Sequence, residues 1–131
     1  MQEGIALDLE ELYRRLVFNI LSGNRGDHLR NTGFLWGWRL APAFDMNPSI
    51  DRREHVLTID GLSADAVIEL AVVTADFYGL GEGRANEIVD ETRAIVSNWK
   101  ERARKLGITA GDIELTASAF SALDDRAERG R

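Results

Sequence analysis

The stretch from Asn24 to Asp45 constrains this chain most, because it concentrates short polar side chains and glycines between a helix-patterned segment and a strand-like one. Asn24, Asp27, His28 and Asn31 lie within eight positions (31 − 24 + 1), and Asp45 follows at a turn. Asparagine and aspartate oxygens are ligands suited to a hard cation such as magnesium. A cation site is therefore one interpretation. The alternative is a polar loop in which Asp27 or Asn31 caps a helical turn.

The order of residues in and around this stretch is more informative than its composition. Residues 16–35 follow the pattern Leu-Val-Phe-Asn-Ile-Leu-x-Gly-Asn-Arg-x-Asp-His-Leu-Arg-Asn-x-Gly-Phe-Leu, and residues 37–48 read Gly-Trp-Arg-Leu-Ala-Pro-Ala-Phe-Asp-Met-Asn-Pro. This pattern resembles the carboxy-terminal domain of the HipA-like serine/threonine kinases, the toxins of type II toxin–antitoxin modules. The resemblance is dense over residues 17–48 and extends from about Leu7 to Phe120.

The resemblance assigns roles to the polar loop. The catalytic loop of these kinases reads Asn-x-Asp-x-His-x-x-Asn, and alignment on His28 and Asn31 also matches Asn24. The position of the catalytic carboxylate then falls on Gly26, which can neither accept a proton nor orient a hydroxyl group. Asp27 is the adjacent carboxylate, but a shift of one residue points its side chain in another direction. The resemblance thus implies a loop supported by Asn24 and His28 that lacks its catalytic aspartate.

The magnesium ligands implied by the resemblance are both present. Asn31 matches a metal-binding asparagine, and Asp45 matches the counterpart of the aspartate in a kinase Asp-Phe-Gly segment. Fourteen residues separate them (45 − 31), which is enough for a tight two-stranded hairpin. We therefore expect Mg²⁺ as a cofactor.

Nucleotide binding is a different matter. A kinase needs a loop that covers the nucleotide and a lysine that pairs with the phosphates, both from an amino-terminal lobe. Only six residues precede the helix-like segment that begins at Leu7, and Lys100 and Lys105 are the only lysines. We expect the chain to be inactive alone and to bind ATP only when a partner chain supplies that lobe.

Three functions remain open. The first is the carboxy-terminal lobe of a HipA-like kinase that requires an amino-terminal lobe from elsewhere. The second is a non-catalytic pseudokinase remnant that binds a partner such as the helix-turn-helix antitoxin of the family. The third is a hydrolase with a metal site at Asp27, His28 and Asp45. An apolar face left without a covering lobe also favours homo-oligomers.

Composition limits the remaining possibilities. The 131 residues suit a single domain, 1–131, and abundant leucine, isoleucine, valine and alanine with only two prolines favour a mainly helical fold. The resemblance makes this fold the helical lobe of a kinase, with a small β-hairpin that carries Asp45. The absence of cysteine fits a reducing cytosol, and the net charge of −6 disfavours direct binding of nucleic acid. Without an apolar run of membrane-spanning length, we expect a cytoplasmic protein.

Hydrophobic periodicity predicts the regular elements. The predicted helices are Leu7–Leu21, Ser63–Tyr78, Arg84–Leu106 and Ala110 to about Leu123, with a hairpin at 32–40 turning at Gly37 and a strand at 56–59. Acidic residues at positions 8, 10 and 11 are expected in the first turn of the first helix, where its dipole favours anions. The glycines at 79, 81 and 83 predict a turn that ends a helix, and the tail 124–131 is expected to fray.

Overall fold

Helices dominate this protein, which confirms the expectation of a mainly helical fold. A computed structural model describes residues 2–23, 34–35, 39–43 and 64–120. In chain order the elements are α1 (Gln2–Leu21), β1 (Phe34–Leu35), β2 (Arg39–Leu40), α2 (Ala64–Val73), a first 3₁₀ helix (Ala75–Tyr78), α3 (Glu82–Ser97), α4 (Trp99–Lys105), α5 (Ala110–Ala117) and a second 3₁₀ helix (Ser118–Phe120). None of these helices is both long and apolar enough to span a membrane. The predicted strand at 56–59 and the tail at 124–131 lie outside the described residues.

The first helix, α1, is longer than its apolar pattern predicts. It ends at Leu21 as expected, but it begins at Gln2 rather than Leu7. Asp8, Glu10 and Glu11 therefore lie beyond the first turn, and the prediction that they compensate the helix dipole was wrong. Each of these carboxylates instead accepts hydrogen bonds from an arginine side chain.

The second predicted helix is interrupted before its end. The α-helix α2 stops at Val73, and the chain continues as a 3₁₀ turn that Gly79 ends with a φ of 70°. At the junction, the Thr74 hydroxyl donates to the carbonyl of Ala71, so a side-chain bond competes with the helical ladder. The helix-ending role predicted for the glycine segment is confirmed at Gly79. Ser63, where this helix was predicted to begin, is outside the described residues.

The predicted third helix is two helices. Helix α3 begins at Glu82, earlier than expected, and α4 follows it after Asn98. Just before the break, the Ser97 hydroxyl donates to the carbonyl of Arg93 at 2.6 Å, a bond that bends helices. Gly107, with a φ of 85°, ends α4 as predicted. Ile95 and Leu106, two apolar residues of the predicted helix, are both exposed.

The last helix begins as the sequence predicts. The Thr109 hydroxyl accepts from the backbone N–H of Asp112 at 3.2 Å, which makes it the N-cap of α5. The α-helix then ends at Ala117, earlier than expected, and a 3₁₀ turn carries Phe120 back into the core. Leu115, an apolar residue of this helix, is exposed.

The core lies between α1 and the helices that pack on it. Helix α1 contacts α2, the first 3₁₀ helix, α3 and β2. The buried cluster consists of Tyr13, Val17, Leu21, Ile68, Ala71, Ala75, Ala85, Ile88, Val89, Val96, Ala119 and Phe120. Its α1 members recur at every fourth position, which is the helical spacing that the sequence showed. Burial raises the pKa of the Tyr13 phenol, whose ring packs edge-on against Tyr78.

The two short strands form an antiparallel pair. Phe34 lies opposite Leu40, and Leu35 lies opposite Arg39. This pairing confirms the strands of the predicted hairpin, whereas its turn at Gly37 lies outside the described residues.

Candidate functional site

The residues predicted to form the site lie outside the part of the chain that the structure describes. They are Asn24, Gly26, Asp27, His28, Asn31 and Asp45. Their predicted roles therefore stay predictions. Among the described residues, no group of three or more histidine, aspartate and glutamate side chains is arranged to hold a metal ion. The structure does describe the elements on either side of these residues, namely the end of α1, the hairpin with residues 41–43 after it, and α2.

Asp8 of α1 holds strand β2 against the helix. Its carboxylate accepts from Arg39 Nε at 2.7 Å and Nη2 at 3.1 Å, and from the backbone N–H of Leu40 at 2.9 Å. The Arg39 guanidinium, with help from the Leu40 amide, lowers the pKa of Asp8 below its usual value. A bidentate pair of this kind fixes orientation as well as distance. The hairpin therefore has a defined position on α1.

A glycine in α1 makes room for this contact. A Cβ on Gly4 would lie 3.1 Å from Cζ of Arg39, closer than ordinary packing allows. Glycine inside a helix costs roughly 0.5–1 kcal/mol relative to alanine. Here it lets the guanidinium group approach the helix closely.

Arg15 makes a second attachment, just after β2. Its Nη2 donates to the carbonyl of Ala41 at 2.7 Å, and its Nε donates to Glu11 at 3.2 Å. The Arg15 side chain is largely buried, so its bond to Ala41 is partly shielded from water, whereas the bond to Glu11 is exposed. Asp45 comes four residues after Ala41 (45 − 41), so the segment leading to it starts from a fixed point on α1.

An open, largely apolar groove of about 310 Å³ borders the same segment. Phe18 of α1, Ala43 after β2, and Thr92 and Ile95 of α3 contribute to its walls. The Thr92 hydroxyl is satisfied within its own helix, because it donates to the carbonyl of Ile88 at 2.7 Å. The surface of the groove is mainly apolar, although Glu11, Arg14 and Arg15 also line it.

The carboxy-terminal end of α1, where the chain enters the predicted loop, packs against the last described turn. Gly23 has a φ of 67°, and a Cβ at this position would overlap the carbonyl oxygen of Ala119. Phe120 follows in the core, where its ring stacks on Trp99 with centroids 4.2 Å apart. Asn24, the first residue of the predicted loop, thus follows Gly23, whose backbone lies close to that of Ala119. These two residues are 96 positions apart (119 − 23).

Ionic contacts fix the direction of α1 relative to α3. Glu10 accepts from Arg84 at 2.6 Å, and Arg14 donates to Glu91 at 3.0 Å. Arg84 also approaches Glu87 at 3.0 Å and Glu91 at 3.3 Å, so two cations and three carboxylates form one network. The Arg84 hydrogen bond lowers the pKa of Glu10, and the Arg14 hydrogen bond lowers the pKa of Glu91. Each pair is partly exposed and contributes little alone, but the network restrains the angle between the helices.

These contacts define a class of protein: a mainly helical domain whose first helix carries a short hairpin and is followed in sequence by asparagine, aspartate and histidine residues. The protein-family model of the HipA-like C-terminal domain matches residues 1–99 of this chain. The chain belongs to this family, and the resemblance drawn from residues 17–48 is confirmed. Comparisons with curated proteins and with solved structures gave no match.

Sequence reasoning missed the residues that hold this frame. Asp8 was interpreted only through the helix dipole, and no role was expected for Arg15, Arg39 or Ala119. One signal was present in the sequence. Acidic residues recur every few positions of α1, and they are more numerous than compensation of the dipole at one helix terminus requires. Nothing local in the sequence identifies which arginine each carboxylate binds.

Proposed function

We propose that this chain is the carboxy-terminal lobe of a HipA-like serine/threonine kinase that retains the magnesium ligands and lacks the catalytic carboxylate. Membership of the family supports the kinase lobe, and Gly26 at the carboxylate position supports the loss of the base. A kinase aspartate at that position accepts the proton of the substrate hydroxyl. The lobe would therefore bind and orient, and would not transfer phosphate unaided.

The geometry of the hairpin is the observation that supports a magnesium site at Asn31 and Asp45. Asn31 precedes β1 by three residues (34 − 31), and Asp45 follows β2 by five (45 − 40). Because β1 and β2 are antiparallel with Phe34 opposite Leu40, the segments leading to the two ligands leave the same end of the hairpin. An amide and a carboxylate oxygen suit Mg²⁺, which when bound would neutralise charge on nucleotide phosphates.

A thermal shift tests the cation site without requiring activity. At tenfold excess over its dissociation constant, Mg²⁺ should stabilise the chain by about 1.4 kcal/mol, and Tm should rise by roughly 3–6 °C. Asp45→Ala and Asn31→Ala should each remove the shift. Asp76→Ala, at an exposed carboxylate on the first 3₁₀ helix, is the matched control and should keep it. An unchanged shift in Asp45→Ala would refute the assignment.

The absence of the catalytic carboxylate at Gly26 predicts that phosphorylation activity can be restored by substitution. The chain alone should show no magnesium-dependent phosphorylation, and Gly26→Asp combined with a kinase amino-terminal lobe should produce it. Gly26→Asn is the control, because it adds similar bulk without a proton acceptor. Phosphorylation by the unaltered chain alone would contradict the proposal. Failure of the folded Gly26→Asp protein to transfer phosphate in the complete assembly would also contradict it.

Gly26 also favours a second candidate, a non-catalytic domain that binds the helix-turn-helix antitoxin of its family. Binding of this kind should not depend on the cation ligands. Titration with a helix-turn-helix antitoxin should give the same affinity for the unaltered chain and for Asp45→Ala. No binding by either protein would exclude this candidate, and binding lost only in Asp45→Ala would tie it to the cation site.

A further inference from the structure

An apolar stripe lies exposed along α2 and the first 3₁₀ helix. Leu70, Val73 and Phe77 are spaced three and four positions apart, and 46%, 76% and 82% of their respective surfaces are exposed. Leu70 and Val73 therefore share one face of α2, and Phe77 lies on the 3₁₀ helix that follows it. Adjacent large apolar residues left open to water are typical of a contact surface. We refer to these three residues as the α2 stripe.

The surroundings of the α2 stripe are acidic. From Ala64 to Gly83 the sequence contains four carboxylates and neither lysine nor arginine. Three of these carboxylates, Glu69, Asp76 and Glu82, are exposed. Contact between two α2 stripes would bring like charges together, which is unfavourable. The occupant of this surface should therefore be apolar and basic.

The end of α4 has these properties. Leu106 is 80% exposed and Ile108 is 45% exposed, immediately after a run of cations. From Trp99 to Ile108 the chain carries four cations, Lys100, Arg102, Arg104 and Lys105, against one carboxylate, Glu101. All four cationic residues are exposed, and a salt bridge at 3.3 Å joins Lys105 to Glu101. We refer to residues 100–108 as the basic end.

We propose that the basic end of one copy docks on the α2 stripe of a second copy. Leu106 and Ile108 would cover the exposed apolar side chains, and the cations would face the carboxylates around them. The two surfaces differ, so the contact is head-to-tail, and a pair of copies keeps one free surface of each kind. Such contacts either close into rings or extend into chains. This proposal is independent of phosphate transfer and of the cation site.

Sedimentation velocity of the full chain tests the association. The weight-average mass should rise with protein concentration at about 50 mM salt and should fall as salt approaches about 0.5 M, because salt screens exposed charges. A monomer at every concentration would overturn the proposal. A mass that rises with added salt would also overturn it, because that result indicates contact between apolar or like-charged surfaces.

Two point variants test the head-to-tail geometry. Val73→Asp damages the α2 stripe and Leu106→Asp damages the basic end, and each protein alone should be monomeric. An equimolar mixture should form a dimer of one copy of each and nothing larger, because one intact surface of each kind remains. Leu7→Asp, at an exposed leucine of α1, is the control and should associate like the unaltered chain. Failure of the mixture to pair would refute the proposal.

An exchange of charges between the two surfaces tests the contact with substitutions at exposed positions, which should not disturb folding. Asp76→Lys and Arg104→Glu lie at exposed positions, and each alone should weaken association by roughly tenfold or more. The double variant places a cation on the stripe and a carboxylate on the basic end, so it should associate more strongly than either single variant. Additive weakening in the double variant would contradict a contact between these two surfaces.

Discussion

The close approach between Gly23 and Ala119 gives the sharpest prediction about this fold. Gly23→Ala introduces a methyl group into a backbone with a φ of 67°, where it would lie 2.9 Å from the carbonyl carbon of Ala119 and overlap its oxygen. The left-handed conformation costs about 1–2 kcal/mol for a residue with a Cβ. The overlap adds the cost of moving packed backbone, about 1–3 kcal/mol.

Gly79→Ala is a matched control for Gly23→Ala. Its φ of 70° is nearly the same, but a Cβ there would have no neighbour within 4 Å. It should therefore lower the free energy of unfolding by only about 1 kcal/mol, whereas Gly23→Ala should lower it by about 3 kcal/mol. For a chain of this length these values correspond to Tm decreases of roughly 4 °C and 12 °C.

Urea unfolding followed by circular dichroism measures both variants. Ala119→Gly should not rescue Gly23→Ala, because the overlapping atom belongs to the backbone. Hydrogen exchange should also increase at residues 118–120 in Gly23→Ala but not in Gly79→Ala. If the two glycine variants lose the same free energy within about 0.5 kcal/mol, the contact between the end of α1 and the last described turn is refuted.

Further predictions concern the hairpin, a helix cap and acid stability. Asp8→Ala should make the Leu40 amide exchange roughly tenfold faster, because that amide loses its acceptor, and Asp8→Asn should have a smaller effect; equal exchange in all three proteins would contradict the docking of β2. Thr109→Ala should lower the free energy of unfolding by about 1 kcal/mol, and Thr109→Ser should recover most of it in urea unfolding; equal losses in both variants would refute the cap. The native pKa values of Asp8, Glu10 and Glu91 lie below their ordinary values of 3.8, 4.5 and 4.5, so the unfolded chain takes up more protons as the pH falls. The Tm should therefore be nearly constant above about pH 5.5 and should fall as the pH drops through about 4, and a rise in Tm over that acid range would contradict these ion pairs.

Local chemistry explains which parts of the fold could be predicted from the sequence. The apolar spacing of α1 identified its buried face, and Gly23, Gly79 and Gly107 marked chain turns because glycine adopts positive φ without a Cβ penalty. Thr109 was recognisable as a cap because its hydroxyl reaches a backbone N–H only three residues away. The family could be recognised because its residue pattern is dense around the polar loop.

Other features depended on contacts between distant residues. Periodicity shows that a helix has an apolar face, but it does not show whether another element covers that face. Val73, Leu106 and Leu115 are therefore exposed despite their apolar character. The break between α3 and α4 was also hidden, because the pattern continues across it while the helix does not.

The sequence by itself determined the family, the glycines that end helices and the approximate location of the helical segments, because each depends on residues a few positions apart. Only the tertiary structure decided that Asp8 binds Arg39, that Glu10 binds Arg84 and that the turn at Ala119 touches Gly23. The physical reason is that these contacts join residues 31 to 96 positions apart (39 − 8 and 119 − 23). Their partners are selected by the angles at which whole helices pack, and no local pattern specifies those angles.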